Sequence, residues 1–262
     1  MKESEWSYIC SSVIGSKHSE VGLPCQDVSD SKLVKLADDS EVLIAVASDG
    51  AGSAQHAQAG AARACASFIY QIRGSLDDAG NLSFLTADFV KEWIAAFQRE
   101  IKIIAEQNES SAREYACTFV AAVIGNEHSV FAQIGDGGIV ILETETKDTY
   151  QTVFWPQQGQ YANQTNFLTD SNAVANLMFN TINLNIQEVA LFTDGMQSLV
   201  LNEETQTAHS PFFRPIFAAL RKAEAGCAVA LQNGMGEYLW SPRVTERTDD
   251  DKTLIFATKL RG

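Results

Sequence analysis

Basic residues are scarce in this sequence. Among its 262 residues, 19 lysines and arginines stand against 33 aspartates and glutamates, which gives a formal net charge of −14. A nucleic-acid partner or an anionic membrane surface is therefore not expected, because binding to either needs a basic face. The acidic residues form either a solvated surface or sites that converge on cations, and composition does not choose between these interpretations.

Long apolar runs are also missing. None reaches the roughly 18–20 residues that a membrane-spanning helix needs, and the start of the sequence lacks the apolar stretch of a signal peptide. The five cysteines are scattered without a CxxC pair, a pattern typical of reduced thiols in a cytoplasmic protein. The four histidines form no HExxH motif and do not pair with cysteine at zinc-ligand spacing, so no zinc site is expected.

Motifs of several familiar enzyme classes are absent. The sequence contains neither a GxxxxGK[ST] phosphate-binding loop nor a GxSxG nucleophile elbow. It also has no linker rich in Pro, Gly or Ser, no low-complexity tract and no strict repeat. With 45% hydrophobic residues the chain is able to bury a sizeable core. We therefore expect one domain over residues 1–262.

Strand and helix patterns occur in blocks rather than in strict alternation. The first half of the chain predicts two strands and two long helices: 6–14, 42–47, 53–72 and 86–107. Residues 15–27 predict a polar loop. From Tyr115 onward the pattern favours antiparallel strands, and residues 135–138 predict a hairpin turn between two of them. Two shorter helices, at 211–222 and 226–235, and a closing strand follow. This order indicates an α+β fold with antiparallel sheets rather than a Rossmann sheet.

An aspartate followed by glycine ends three buried-looking segments, at Asp49, Asp136 and Asp194. Taken singly, an Asp-Gly pair is typical of a turn or a helix cap. Together, carboxylates at strand ends emerge where loops build sites, and adjacent glycines expose their carbonyls. With Asp27 and the acids at 249–251 they would suit hard cations such as Mg²⁺ and Mn²⁺, whose charge would offset their mutual repulsion. Two-metal sites of this kind activate water for phosphoryl transfer.

Six motifs occur in a specific order: "PCQD … VASDGAGS … CTFVAAVI … FAQIGDGG … ALFTDGMQSL … DDDKTLIFA". This set resembles the metal-dependent Ser/Thr protein phosphatases of the protein phosphatase 2C type. It is most similar to the divergent bacterial branch that carries "GxxHxxxGxPCQD" near its start. The resemblance extends over residues 15–257. It implies an α+β fold in which a β-sandwich of two antiparallel sheets is flanked by helical layers.

The resemblance also implies a centre of two or three Mg²⁺ or Mn²⁺ ions. Its ligands would be Asp27, Asp49, Gly50, Asp136, Asp194 and Asp251. Asp49 would bridge two ions, with Asp194 and Asp251 on one of them and Asp27 acting directly or through water. These four acids are the expected catalytic residues, whereas Asp136 would help to hold a weaker third ion. A hydroxide bridging two ions would attack phosphorus directly.

Three features of the implied site are open or depart from the family. The residues alone do not say which acid at 249–251 binds metal, and Asp251 is chosen because it directly precedes the final strand. Many members carry a phosphate-binding arginine where this chain has Gly22, so Lys17 and His18 in the same loop are expected to replace it. Some members carry a histidine where Ala51 stands. The variable flap would be residues 155–170.

Three functions follow from these features. The first is a phosphatase for phosphoserine and phosphothreonine in proteins, opposed by a cognate bacterial Ser/Thr kinase. The second is a catalytically weak regulatory or interaction module of the same fold, which the missing arginine favours and the retained acids oppose. The third is a phosphomonoesterase for small molecules that uses the same metal centre. The sequence favours the first.

Overall fold

Two stacked β-sheets form the centre of the molecule, in a computed structural model that describes residues 6–143, 149–157 and 165–260. The strands are β1 (Trp6–Val13), β2 (Val28–Lys35), β3 (Glu41–Ser48), β4 (Phe119–Ile124), β5 (Ser129–Ile134), β6 (Gly138–Glu143), β7 (Gln151–Phe154), β8 (Met178–Ile182), β9 (Ile186–Phe192), β10 (Leu201–Asn202), β11 (Thr207–Ala208), β12 (Gly226–Cys227) and β13 (Lys252–Lys259). One sheet has the order β2-β3-β4-β5-β8 and is antiparallel throughout. The other has the order β12-β1-β13-β9-β6-β7, in which only the edge pair β1–β12 is parallel. The expected sandwich of antiparallel sheets is confirmed, with this short parallel edge as an addition.

The described residues contain seven α-helices, six of which lie on the outer faces of the two sheets. They are α1 (Ser16–Glu20), α2 (Ala57–Ala79), α3 (Ala87–Gln107), α4 (Gln197–Val200), α5 (Ser210–Leu220), α6 (Val229–Leu239) and α7 (Pro242–Thr245). The long helices α2 and α3 pack on the five-stranded sheet, and α4 to α7 pack on the six-stranded sheet. Among the described residues no helix is both long enough and apolar enough to span a lipid bilayer.

Strand β3 shows how the layers are held together. It is buried on both faces, because alternate side chains of a strand point in opposite directions. Leu43 and Ala45 face the second sheet, where they pack with Ile139, Leu191 and other residues of the inter-sheet core. The alternate side chains of Val42, Ile44 and Val46 face α2 and α3. This explains why its sequence is a continuous apolar run rather than an alternating one.

Several predicted elements differ from the structure at their edges. Helix α2 begins at Ala57 rather than at residue 53 and continues to Ala79. The bounds of helix α3 agree closely with the predicted ones. Thr86 is its N-cap, and the Thr86 side-chain oxygen accepts a hydrogen bond from the backbone N–H of Phe89 at 3.3 Å. The predicted polar loop at 15–27 contains the single-turn helix α1. Strands β2 and β8 have no counterpart in the prediction.

The predicted hairpin turn at 135–138 is wrong. Strand β5 lies in the five-stranded sheet, whereas β6 lies in the six-stranded sheet. The segment between them crosses from one sheet to the other, with Gly135 in the left-handed region at φ 103°. Gln133 holds this crossing by donating from its side-chain amide to the carbonyls of Gly135 and Gly137. The crossing places Asp136 at an end of the sandwich.

Candidate metal centre

Five carboxylates approach one another at one end of the sandwich, where strands of both sheets terminate. They are those of Asp27, Asp49, Asp136, Asp194 and Asp250. Asp49 directly follows β3, and Asp194 begins the single 3₁₀ turn between β9 and α4. The charges of Asp27, Asp136 and Asp194 all act on Asp49, and those of Asp136 and Asp250 act on Asp194. The chain therefore joins acids from five separate positions into one cluster.

The backbone at Asp49 is clamped to the start of β4. The Asp49 N–H donates to the Thr118 side-chain oxygen at 2.9 Å, and the Asp49 carbonyl accepts from the Thr118 N–H at 2.8 Å. The next residue, Gly50, pairs with Cys117. A Cβ at Gly50 would lie 2.7 Å from the backbone of Ala57, the first residue of α2. Only glycine therefore allows the helix to start this close to the strand end.

Thr193 connects Asp27 to the second sheet. Its hydroxyl donates to Oδ2 of Asp27 at 2.7 Å and accepts from the backbone N–H of Thr253 at 3.1 Å. Asp27 is only 4% exposed, and its Oδ1 has no hydrogen-bond donor among the described residues. A buried carboxylate oxygen without a donor is costly, which makes it a candidate ligand for a cation.

Asp136 is arranged in a similar way. Its Oδ2 accepts from the Thr165 hydroxyl at 2.7 Å, while its Oδ1 is buried without a donor in the part of the chain that is described. The side-chain amide of Gln197, at the start of α4, donates to the Asp136 carbonyl. The sheet crossing is thereby fixed to the segment that carries Asp194.

Burial and mutual repulsion raise the pKa values of Asp27, Asp49, Asp136 and Asp194. Desolvation is the largest cause for each of these four, and neighbouring carboxylates add to it. The pKa of Asp194 rises to about 8, with Asp136 and Asp250 as the strongest charged neighbours. The pKa of Asp27 rises to about 6, because hydrogen bonds from Thr193 and others offset part of the desolvation. The pKa values of Asp49 and Asp136 also rise. Asp27 and Asp49 lie close enough to share a hydrogen bond when one of them is protonated.

Asp251, the sequence-based choice for a metal ligand, lies beside Asp27 and its charge acts on that residue, but hydrogen-bond donors already satisfy its own oxygens. Its carboxylate is 2% exposed and accepts three hydrogen bonds: from the Gly15 N–H at 2.6 Å, the Gln26 N–H at 2.5 Å and His18 Nδ1 at 3.0 Å. Asp251 thus ties the start of β13 to the 15–26 loop. Its neighbour Asp250 instead acts electrostatically on Asp136 and Asp194, and its Cβ lies beside Gly195.

The two proposed phosphate-binding residues are placed differently. His18 is buried, and its Nδ1 forms a hydrogen bond with the Asp251 carboxylate. Its Nε2 points toward Gly52, in the loop after Asp49, and lies 3.7 Å from the position that a Cβ on that glycine would occupy. Lys17 is exposed, and its backbone N–H donates to the Asp249 carbonyl at 3.1 Å. Gly22 is also exposed, with φ 72°. Residues 158–164 of the expected flap lie outside the described residues.

The donor set suits Mg²⁺ or Mn²⁺, which prefer carboxylate, carbonyl and water oxygens. The two buried Oδ1 atoms of Asp27 and Asp136 that lack a donor support this fit. Within the described ranges, no three His, Cys, Asp or Glu side chains already form a metal cage. The side chains would have to rotate to hold an ion, which short aspartates at strand ends are able to do.

Comparisons with known proteins identify the family. The family model for protein phosphatase 2C matches residues 14–239. Serine/threonine-protein phosphatase 3 of Escherichia coli (strain K12) is 34% identical over 256 residues, which cover 96% of this chain and 98% of that protein. The chain belongs to the protein phosphatase 2C family.

Solved structures agree at the level of the protein phosphatase 2C fold. The serine/threonine phosphatase Stp1 from Staphylococcus aureus has a TM-score of 0.61 at 14% identity, covering all of this chain and 96% of that one. PppA of Pseudomonas aeruginosa, described as a key regulatory component of T6SS, has a TM-score of 0.64 at 12% identity. That match covers 98% of this chain and 99% of PppA.

Sequence reasoning missed the residues that hold the acids in place. Thr118 and Thr193 each hold one cluster acid, and although both lie within the quoted motifs, no role was predicted for either. A signal does exist for Thr193, since it stands directly before the Asp-Gly pair at the end of a buried strand. Asp250 belongs to the acidic run that the sequence singled out, but nothing in the run distinguishes it from Asp251.

Proposed function

We propose that two or three Mg²⁺ or Mn²⁺ ions are held by Asp27, Asp49, Asp136, Asp194 and Asp250, with the Gly50 carbonyl. As a member of the family, the chain is a metal-dependent protein phosphatase of the Ser/Thr type. The observation that carries the proposal is the cluster of five carboxylates, in which desolvation and then mutual repulsion raise the pKa values of Asp49 and Asp194. In this proposal Asp250 replaces Asp251, the ligand that was expected from the sequence.

The chain's own residues position these ligands. Thr193 holds the Asp27 carboxylate from one side, and Thr118 fixes the backbone at Asp49. Gln197 ties the Asp136 loop to α4. When bound, the ions would supply activated water and charge to offset that of the phosphate ester. The acids must be ionised to act as ligands, so ion binding would release the protons that their raised pKa values retain.

We propose that His18 and Lys17 serve the substrate phosphate. Asp251 accepts a hydrogen bond from Nδ1 of His18, so the Nε2 atom of the ring points toward the Gly52 loop beside the carboxylate cluster. A protonated His18 would donate from Nε2 to a phosphate oxygen. Lys17 is exposed one residue earlier on α1, and its flexible side chain is able to approach the same anion. Asp251 is then a positioning residue for this loop rather than a metal ligand.

The direct test is release of phosphate from a phosphothreonine peptide by the purified protein, with Mn²⁺ and then with EDTA. We expect turnover that depends on metal, is lost in Asp194→Asn and persists in Asp77→Asn, an exposed acid on α2. p-Nitrophenyl phosphate serves as the small-molecule substrate. A preference for it over several phosphopeptides would favour the phosphomonoesterase. Mn²⁺ binding without turnover of either substrate would favour the regulatory module.

Partners and location are part of the same proposal. A Ser/Thr kinase would supply the phosphoproteins that this enzyme consumes. We also propose a cytoplasmic location, supported by the cysteines, none of which forms a disulfide: Cys10, Cys25, Cys65, Cys117 and Cys227. Reduced thiols are typical of that compartment.

A further inference from the structure

A groove of about 800 Å³ separates α5 from α6 on the outer face of the six-stranded sheet. None of the proposed metal ligands lines it. Helix α5 packs mainly against β13 and α6 against β1, so the two helices leave a gap between them. The volume falls within the range of small-molecule sites, which is about 300–1,000 Å³.

The walls of this α5–α6 groove are apolar. On α6, Leu231, Met235 and Tyr238 recur at helical spacing along the side that faces the groove. Phe212 and Ile216 line it from α5. The Phe212 and Tyr238 rings lie 6.4 Å apart, so the start of α5 is adjacent to the end of α6.

Positive charge is concentrated at this same end of the groove. Arg243 of α7 and Arg247 just beyond it line the groove and are exposed, as is His209 before α5. Neither arginine has an ion-pair partner among the described residues, and Glu246 is the one carboxylate in the lining. Two guanidinium groups at one end of an apolar groove would attract an anion.

We propose that the α5–α6 groove binds an anionic amphiphile, of the chemical class of a long-chain alkyl carboxylate. The apolar walls would take the alkyl chain, and Arg243 and Arg247 would bind the carboxylate in the bidentate manner that guanidinium favours. A symmetric dimer through this groove is disfavoured, because it would place Arg243 and Arg247 opposite the same arginines of the second copy. This site does not depend on the proposed phosphatase function.

Gly234 provides a way to fill the groove without disturbing the fold. It lies on the groove-lining side of α6, and a Cβ there would have no atom within 4 Å. Gly234→Leu should therefore fold, since leucine also favours the helix more than glycine does. Gly74 on α2 is equally open and lies on the opposite helical layer, so Gly74→Leu is the matched control.

The experiment is calorimetric titration of the full chain with dodecanoate below its micellar concentration. We expect one site per chain, retained in Gly74→Leu and weakened by about ten-fold or more in Gly234→Leu. The wild type should bind dodecanoate more tightly than dodecyltrimethylammonium, a cation with an alkyl chain of similar length. The double variant Arg243→Gln/Arg247→Gln should lose this preference, whereas Arg73→Gln should keep it. Thermal melts verify that each variant is folded. If Gly234→Leu does not fold, the double arginine variant still tests the proposal independently.

Two results would overturn the proposal. One is the absence of saturable dodecanoate binding, or binding that Gly234→Leu and the double arginine variant leave unchanged. The other is a concentration-dependent dimer, detected by light scattering, that the Gly234→Leu substitution dissociates. That result would show that the groove binds a second copy of the chain.

Discussion

At the scale of single residues, adjacent aspartates have different tasks because they meet different donors. Asp251 accepts two backbone N–H groups and His18, which accounts for both of its oxygens. Asp250 accepts the Asp251 N–H and otherwise faces the charges of Asp136 and Asp194. A carboxylate that backbone donors already satisfy stabilises a loop, whereas one that faces other carboxylates needs a cation.

Exchanging each of these aspartates for asparagine should separate the two roles. Asp250→Asn should weaken Mn²⁺ binding beyond the roughly 10- to 100-fold that loss of an outer-shell partner costs, with little change in melting temperature. Asp251→Asn would turn an NH₂ group toward a backbone donor and should cost about 1–3 kcal/mol of unfolding free energy. Titration calorimetry and urea denaturation measure the two effects. The assignment is wrong if Asp251→Asn abolishes Mn²⁺ binding in a stable protein.

The sequence alone identified the candidate acids, but it did not show which of them lie together in the cluster. Three Asp-Gly pairs at strand ends and a closing acidic run are visible as patterns. Which member of the run faces the cluster depends on whether a side chain meets the 15–26 loop or the opposite sheet. That depends on tertiary packing, which no local spacing encodes. The assignment of His18 and Lys17 to phosphate stays a prediction.

At the scale of elements, the site depends on how closely helices approach strand ends. Helix α2 begins seven residues after Gly50, and Ala57 lies against that glycine. The wrong hairpin at 135–138 has a related cause. Strands β5 and β6 are both buried and are separated by glycines, a local pattern that favours a hairpin. The two strands nevertheless belong to different sheets. Sheet membership is a long-range property, so the turn residues alone did not reveal it.

A methyl group at Gly50 should disturb this junction. Gly50→Ala would force Ala57 away and should cost about 1–3 kcal/mol of unfolding free energy, together with a loss of phosphatase turnover. Gly52→Ala is the control, because its Cβ would meet only His18 Nε2, at an ordinary 3.7 Å. Thermal denaturation of both variants checks the prediction. Equal stability of the two would show that the close approach at Gly50 is unimportant.

At the scale of the whole molecule, the acid cluster opposes the stability that the layered core provides. The apolar runs and long amphipathic helices predicted an α+β fold with antiparallel sheets. The sandwich and its two helical layers were implied by the resemblance to the family. The extension of one domain over 1–262 stays a prediction. The carboxylates, in contrast, are buried near one another at a cost that ionisation increases. Metal binding and folding should therefore be linked.

This linkage gives a pH dependence with a definite sign. Without metal, Asp194 has a pKa of about 8 in the folded chain against a reference value of 3.8, and Asp27 one of about 6. The folded chain retains protons that the unfolded chain releases, so these groups lower the unfolding free energy as pH rises from about 4 to about 8. In EDTA, the fall should be smaller in Asp194→Asn than in the wild type. Urea denaturation across this range tests it, and parallel curves would contradict the raised pKa of Asp194.

The measurement that tests the central claim most directly is titration calorimetry of Mn²⁺ into the wild type, Asp49→Asn and Asp77→Asn. The account predicts saturable binding in the wild type and in Asp77→Asn, with strong loss in Asp49→Asn. Binding should also stabilise the folded chain by about 2.7 kcal/mol when free Mn²⁺ is a hundred times its Kd. Equal Mn²⁺ binding by all three proteins would contradict the assignment of the carboxylate cluster as the metal centre.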